Sequence, residues 1–224
     1  MRPADAPPPM LCARGLIGRR GCGAPLDFEL HGGQLLHVRG ANGSGKTSLL
    51  RMLAGLLRPL AGSVLWRGAD ARRDPAGYRA GMAYLGHGNG LCRELSAAEN
   101  LLYALHVAGT PLAAARIAEA LRAWHLESCA DVATLRLSQG QGRRLALAAV
   151  VLGGKPLWLL DEPDAGLDAA SLELLRLALE NHLAAGGAAV VASHREPGTA
   201  PAHTQTLDMD DYADAGYAVA VGVA

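Results

Sequence analysis

Charge of one sign is not in excess in this chain. Its 224 residues carry 21 Lys and Arg against 21 Asp and Glu, a formal net charge of zero. That argues against a broadly basic nucleic-acid binder, which needs a positive surplus to hold phosphate, so no nucleic-acid partner is expected. Long apolar runs are also missing. The uncharged stretches fall short of the ~18–20 residues that cross a bilayer; 145–154, for example, is interrupted by Lys155. The first nine residues, Met1-Arg2-Pro3-Ala4-Asp5-Ala6-Pro7-Pro8-Pro9, contain no apolar core of the signal-peptide kind, and a cytoplasmic chain is expected. The four cysteines (Cys12, Cys22, Cys92 and Cys129) form no C-x-x-C pair and have no ligand neighbours at zinc-site spacing, so they read as reduced thiols. Aromatic residues make up only 4% of the chain, and Phe28 is the sole one before Lys46.

What is present is an ordinary globular proportion of apolar residues, 50%, over a length that suits one large domain. Residues 1–9 read as a flexible tail, since three consecutive prolines join no packed element. Strand patterns follow at 26–30 and 34–39, the second running into a glycine-rich stretch. A helix is expected over 46–57, with Leu49, Leu50, Leu53, Leu56 and Leu57 on one side. Short strands are expected at 63–66 and 82–85. From about 95 to 135 the chain becomes helix-rich. Ser96 and Glu99 form a capping-box pattern, and 111–129 is alanine-rich after Pro111. Further helices are expected over 141–152 and 171–184, with buried strands at 156–160 and 188–192. The final apolar run, 217–224, reads as an edge strand or a frayed end.

Two motifs carry phosphate chemistry. Gly40-Ala41-Asn42-Gly43-Ser44-Gly45-Lys46-Thr47 satisfies G-x-x-x-x-G-K-[ST], with a strand pattern before it and a helix after. Its glycines let backbone N–H groups face phosphate oxygens, and the following helix, which includes Ser48, offers its positive end to the same charge. Lys46 would reach the β- and γ-phosphates of ATP, and Thr47 would place its hydroxyl on Mg2+. The second motif is Leu157-Trp158-Leu159-Leu160-Asp161-Glu162. A buried strand ending in two acids puts Asp161 beside the magnesium and Glu162 where it can polarise the attacking water.

Leu137-Ser138-Gln139-Gly140-Gln141, followed by Arg143-Arg144, resembles the LSGGQ signature of the ABC-type ATPases. The rest of that family's order is present: Asp161-Glu162 lies 23 residues after Ser138, then come Ala165-Gly166-Leu167-Asp168 and Ser193-His194. The resemblance covers about residues 10–200. It implies an α/β P-loop NTPase of the ABC ATPase type, with an N-terminal antiparallel β subdomain and an inserted helical subdomain. The ATPase domain would span 10–224, its core about 10–94 and 136–210 and its helical part about 95–135. It further implies a head-to-tail dimer with itself or a homologous ATPase domain, in which Ser138, Gly140 and Gln141 complete the partner's ATP site. His194 would hold the γ-phosphate and water with Glu162, and Asp168 would couple the two sites.

Within the family, several stretches resemble the ATP-binding subunits of bacterial cytochrome c maturation (haem exporter) complexes. They are the run from Gly40 through Leu53-Ala54-Gly55-Leu56-Leu57-Arg58-Pro59, Trp66 at a strand end, Tyr84-Leu85-Gly86-His87, and Glu94-Leu95-Ser96-Ala97-Ala98-Glu99-Asn100-Leu101. This resemblance implies integral membrane partners of the CcmB and CcmC type, an indirect link to a haem chaperone of the CcmE type, and a peripheral position on the cytoplasmic face of the inner membrane. Another ABC importer or exporter subunit, or a soluble ABC-type switch, stays open as an alternative. Four departures from the general pattern stand out. Gln139 replaces a signature glycine, and Gly142 sits where a helix former is expected. His87 takes the place of the Q-loop glutamine, as a hinge or as a metal or water contact. The one aromatic before the glycine loop, Phe28, falls in a strand pattern rather than where adenine would stack, leaving Arg19 or Arg20 as guanidinium substitutes. A docking groove around 84–100 is expected of a membrane-complex subunit; Leu91, Leu95 and Leu101 either line it or, on the plainer reading, belong to the core.

Overall fold

The computed structural model describes residues 8–18, 23–109 and 114–212. The expected terminal strand at 217–224, most of the expected flexible tail, Cys22, and Arg19 and Arg20 lie outside the described residues. In chain order the strands and helices are β1 (Leu11–Ile17), β2 (Leu26–Leu30), β3 (Leu35–Arg39), α1 (Lys46–Leu53), β4 (Ala61–Trp66), β5 (Ala69–Asp70), α2 (Pro75–Ala80) and β6 (Met82–Leu85). They continue as α3 (Ala97–Val107), α4 (Ala114–Ala123), α5 (Gln139–Gly153), β7 (Leu157–Asp161), α6 (Ala169–Ala184), β8 (Ala188–Ala192) and β9 (Thr204–Asp208).

Two sheets organise them. The N-terminal sheet is antiparallel, ordered β2-β1-β4-β5; the central one, β6-β7-β8-β3-β9, is parallel throughout. Together with the helices between them, this is the α/β arrangement expected from the sequence, with an antiparallel sheet at the N-terminus and a helical insertion. The parallel sheet is covered on both faces, which is why β7 and β8 are continuous apolar runs rather than alternating ones. Alternation shows in where the side chains go. Leu157, Leu159, Ala188 and Val190 join one core with α1 and the antiparallel sheet. Trp158, Leu160, Ala189 and Val191 join the other, with α3 to α6.

The helical part begins as the capping box requires. Ser96 Oγ accepts from the Glu99 N–H, and the Glu99 carboxylate accepts from the Ser96 N–H. Helices α3 and α4 pack on each other and on α5. Among the described residues, no helix is long and apolar enough to cross a membrane. The described cysteines, Cys12, Cys92 and Cys129, form no disulfide.

Some local expectations change. Helix α1 ends at Leu53 rather than 57, because the chain turns back through Gly55 and leaves Leu56 exposed. The alanine-rich segment gives a helix only to Ala123. His125 then adopts a positive φ, and a short 3-10 turn follows at Glu127–Cys129. Leu101 is fully buried in the core, so it lines no groove. Strands β1 and β9 were not expected. β1 carries an irregularity between Arg14 and Ile17 that breaks any period-2 pattern, and β9 is a largely polar edge strand.

At the starting edge of the parallel sheet, the His182 ring stacks on Trp158, with centroids 3.8 Å apart and planes within 8°. Its Nε2 lies 3.1 Å from the Ala188 carbonyl oxygen. Burial pushes the His182 pKa down, opposed by the Ala188 and Pro156 carbonyls. The unfolded chain therefore takes up a proton near the usual ~6.5 that the folded chain resists, and stability falls as pH drops below that value. Urea midpoints at mildly alkaline and mildly acidic pH should move apart less in His182→Gln than in the parent chain. An equal spread in both would remove His182 from the acid response.

Candidate nucleotide site

The parallel sheet delivers the site. Its strands end on one edge, and the register sets β3, β7 and β8 level: Val38 pairs with Ala192, and Ala192 with Asp161. Ligand sites of open α/β sheets form beyond such carboxyl ends.

Between β3 and α1 the chain makes the glycine loop. Gly40, Gly43 and Gly45 have φ of 138, 84 and 102°, a region that side chains with a Cβ rarely enter. At Gly40 a Cβ would stand 2.7 Å from Ser44 Oγ. Lys46, only 6% exposed, donates from Nζ to the carbonyls of Gly40 (2.7 Å) and Ala41 (3.0 Å), closing the loop around its own ammonium. Asp210, beyond β9, braces the loop from outside by accepting the Ala41 N–H at 3.1 Å. No local motif marks Asp210, and only the pairing of β9 with β3 brings it there.

Thr47 donates its hydroxyl to Asp161 Oδ1 at 3.1 Å. Asp161 is 1% exposed, and its other oxygen, Oδ2, has no partner among the described residues. Burial pushes its carboxyl pKa up, while the Thr47 hydroxyl works the other way. A buried carboxylate with an unsatisfied oxygen next to a hydroxyl suits Mg2+, which takes one or two protein oxygens and fills its shell with phosphates and water. The buried Ser44 hydroxyl is likewise without a partner. Both orphaned groups lie at the loop, where a phosphate and its cation would satisfy them.

Glu162 follows directly, with φ of 50°, a left-handed conformation uncommon for a residue with a Cβ. Its carboxylate is one-third exposed and meets His87, whose Nδ1 lies 3.4 Å from Oε2. The parallel pairing of Leu85 with Leu160 explains this contact, because each residue stands two places past its paired leucine. His87 thus touches Glu162 rather than serving only as a hinge. On the other side, His194 Nε2 donates to Asn42 Oδ1 of the glycine loop at 2.9 Å. Ser193, just before it, donates to Asp164 at 2.9 Å, a contact the sequence did not signal.

The signature stands at the start of α5. Ser138 is its N-cap in a capping box with Gln141, whose side-chain oxygen accepts the Ser138 N–H at 2.8 Å. Gln139 turns its side chain onto the Ala165–Asp168 loop, where a Cβ on Gly166 would lie 3.2 Å from its amide carbon. Asp168 caps α6 by accepting the Ser171 N–H at 2.8 Å. Phe28, in β2, is buried in the core and offers adenine no face.

Comparison with known proteins agrees with this architecture. The ABC transporter family profile matches residues 24–165. The cytochrome c biogenesis ATP-binding export protein CcmA of Bordetella bronchiseptica is 62% identical over 215 residues, covering 96% of each chain. The protein of the same name from Methylococcus capsulatus is 47% identical, over 85% of this chain and 92% of that one. Among solved structures, an ATP-binding subunit of an ABC transporter superposes with a TM-score of 0.74 at 26% identity, covering 83% of this chain and 79% of that chain. A Pyrococcus furiosus ABC transporter ATP-binding protein superposes with a TM-score of 0.78 at 21% identity, over 91% and 98%, a likeness of fold. With the glycine loop, the acid pair and the signature in this arrangement, the chain belongs to the CcmA family of ABC transporter ATP-binding proteins.

Proposed function

We propose that the chain is the ATP-hydrolysing subunit of a membrane ABC complex for cytochrome c biogenesis, driving haem export or release of a haem-loaded chaperone. The observation that carries the reading is the meeting of Lys46, Thr47, Asp161 and Glu162 at the carboxyl ends of β3 and β7, with His194 over the same loop. The ATPase domain occupies 10–224, with its helical part at about 95–135.

Backbone N–H groups of residues 41–48 and the start of α1 hold the ATP phosphates, and Lys46 neutralises them. Thr47 and Asp161 would hold Mg2+, which would supply charge neutralisation to the phosphates. Glu162 orients a water in line with the γ-phosphorus and takes its proton. As the water oxygen bonds to phosphorus, the bond to the β–γ bridging oxygen breaks and ADP leaves with that electron pair. His194 steadies the γ-phosphate. Ser138, Gly140 and Gln141, at the start of α5, complete the site of a second copy packed head to tail. Integral membrane subunits of the CcmB and CcmC type dock this chain on the cytoplasmic face of the inner membrane. A CcmE-type chaperone is reached indirectly.

The test is a pull-down. Tagged Glu162→Gln chain is recovered with ATP from detergent-solubilised native membranes, and its partners are identified by mass spectrometry. Haem-handling membrane subunits are the expected catch. An unrelated permease would retain the ATPase and discard the cytochrome assignment, while recovery without any membrane protein would favour a soluble switch.

A further inference from the structure

The signature helix carries an arginine that the ATP chemistry above does not use. Arg143 lies one turn into α5, is 2% exposed, and turns its guanidinium away from the signature toward the ends of β6 and β7. Nη1 donates to the Gly86 carbonyl at 3.0 Å and to Asn89 Oδ1 at 3.1 Å. Nη2 donates to the carbonyls of Asp161 and Glu162, the latter at 2.6 Å, and Nε reaches the Pro163 carbonyl at 3.4 Å. A guanidinium has five N–H donors in a rigid planar fork, and these contacts use the whole fork.

Gly142 gives the arrangement room. A Cβ there would stand 3.0 Å from Asn89 Nδ2, so the glycine that looked like a weak start to the helix gives the Asn89 amide room beside Arg143. The neighbouring Arg144 goes elsewhere, donating to Ser171 Oγ on α6 at 3.2 Å.

The geometry points to Arg143 as a positioning residue for Glu162. Three consecutive carbonyls, from Asp161 through Pro163, converge on one cation, and the middle residue is the one with left-handed backbone. Such a conformation persists only where its surroundings over-determine it. Here the Glu162 N–H is fixed to the Ala192 carbonyl at 2.8 Å, and its carbonyl is fixed to Arg143. With both sides of the residue held, the carboxylate is aimed toward His87 at the site edge. The same fork binds Gly86, the residue before His87, so Arg143 sets both halves of the His87–Glu162 pair from a helix whose first turn is the signature. A shift of α5 is thereby passed to the carboxylate. The inference rests on Glu162 being the group that handles the water.

A double-mutant cycle in the full-length chain tests it, by single-turnover hydrolysis and ATP titration of Arg143→Lys, Glu162→Gln and the pair. Lysine keeps the charge but not the fork. Arg143→Lys should lower the hydrolysis rate about tenfold to a hundredfold, as expected for a misplaced catalytic group, with the ATP concentration for half-maximal rate moving less than about threefold. In the Glu162→Gln background the same change should alter the residual rate by less than about twofold, because the group it positions is already gone. An equal loss in both backgrounds would mean general damage to the fold and would overturn the role, as would an unchanged rate in Arg143→Lys alone. Undiminished hydrolysis by Glu162→Gln would instead overturn the reading of Glu162 on which this one rests. Asn89→Ala, which frees one corner of the fork on a surface loop, carries the same cycle should Arg143→Lys not fold; it should slow hydrolysis about threefold only while Glu162 is present.

Discussion

Glu162→Gln should bind ATP and scarcely hydrolyse it, with kcat reduced about 10²- to 10⁴-fold, the span associated with losing a general base. Glutamine keeps the shape of the side chain and its backbone anchors at Ala192 and Arg143, so the site around it stays in place. What goes is the capacity to accept the water's proton. None of the loop contacts that would hold the phosphates involves this side chain, which meets His87 instead. Nucleotide affinity should therefore be kept, and removing one negative charge near the triphosphate favours the bound state. In the head-to-tail pair proposed above, hydrolysis would undo the closed state, so the variant should accumulate as an ATP-bound dimer, visible as an earlier-eluting species in gel filtration with ATP and magnesium. Hydrolysis within about twofold of the parent chain is too small a loss for a missing base and would assign that role elsewhere.

Lys46→Ala should act at the earlier step. A charged hydrogen bond to phosphate contributes about 1.5–3 kcal/mol, so the Kd for ATP should rise about ten- to a hundredfold. The structure adds a second source of loss. The Lys46 ammonium is buried against the Gly40 and Ala41 carbonyls, and without it those oxygens keep no cation and the loop loses its closure. A fluorescent nucleotide titration reads the affinity, and thermal melting without nucleotide reads the loop. Affinity unchanged from the parent chain would remove the glycine loop from ATP binding altogether.

How far these residues could be read in advance follows from what kind of neighbour each one needs. The glycine loop is a local object. Its strand, turn and helix are contiguous, and the φ values at Gly40, Gly43 and Gly45 belong to residues already marked by being glycine. The capping box at Ser96–Glu99 is local in the same way, which is why that helix start was legible, whereas the helix after the signature begins at Gln139, two residues ahead of the expected 141. Strand β7 could be recognised because burial on two faces leaves an uninterrupted apolar run. The antiparallel edge was harder. The irregularity in β1 hides its alternation, and β9 is recognisable as a strand only once β3 lies beside it.

The sequence by itself determined the order of the motifs, the phosphate-binding chemistry, the acid pair and the family. Each of these depends on residues adjacent in the chain or on a helix periodicity. Only the tertiary structure decided that His87 meets Glu162, that Asp210 braces the glycine loop, that Gly142 makes room for Asn89, and that Arg143 rather than Arg144 grips the backbone around Glu162. The reason is the same in each case. These partners lie far apart in the chain, and their contact is set by strand register and helix packing. Spacing along the chain says which groups exist, while the direction of a buried guanidinium or imidazole is fixed by the strands that end beside it.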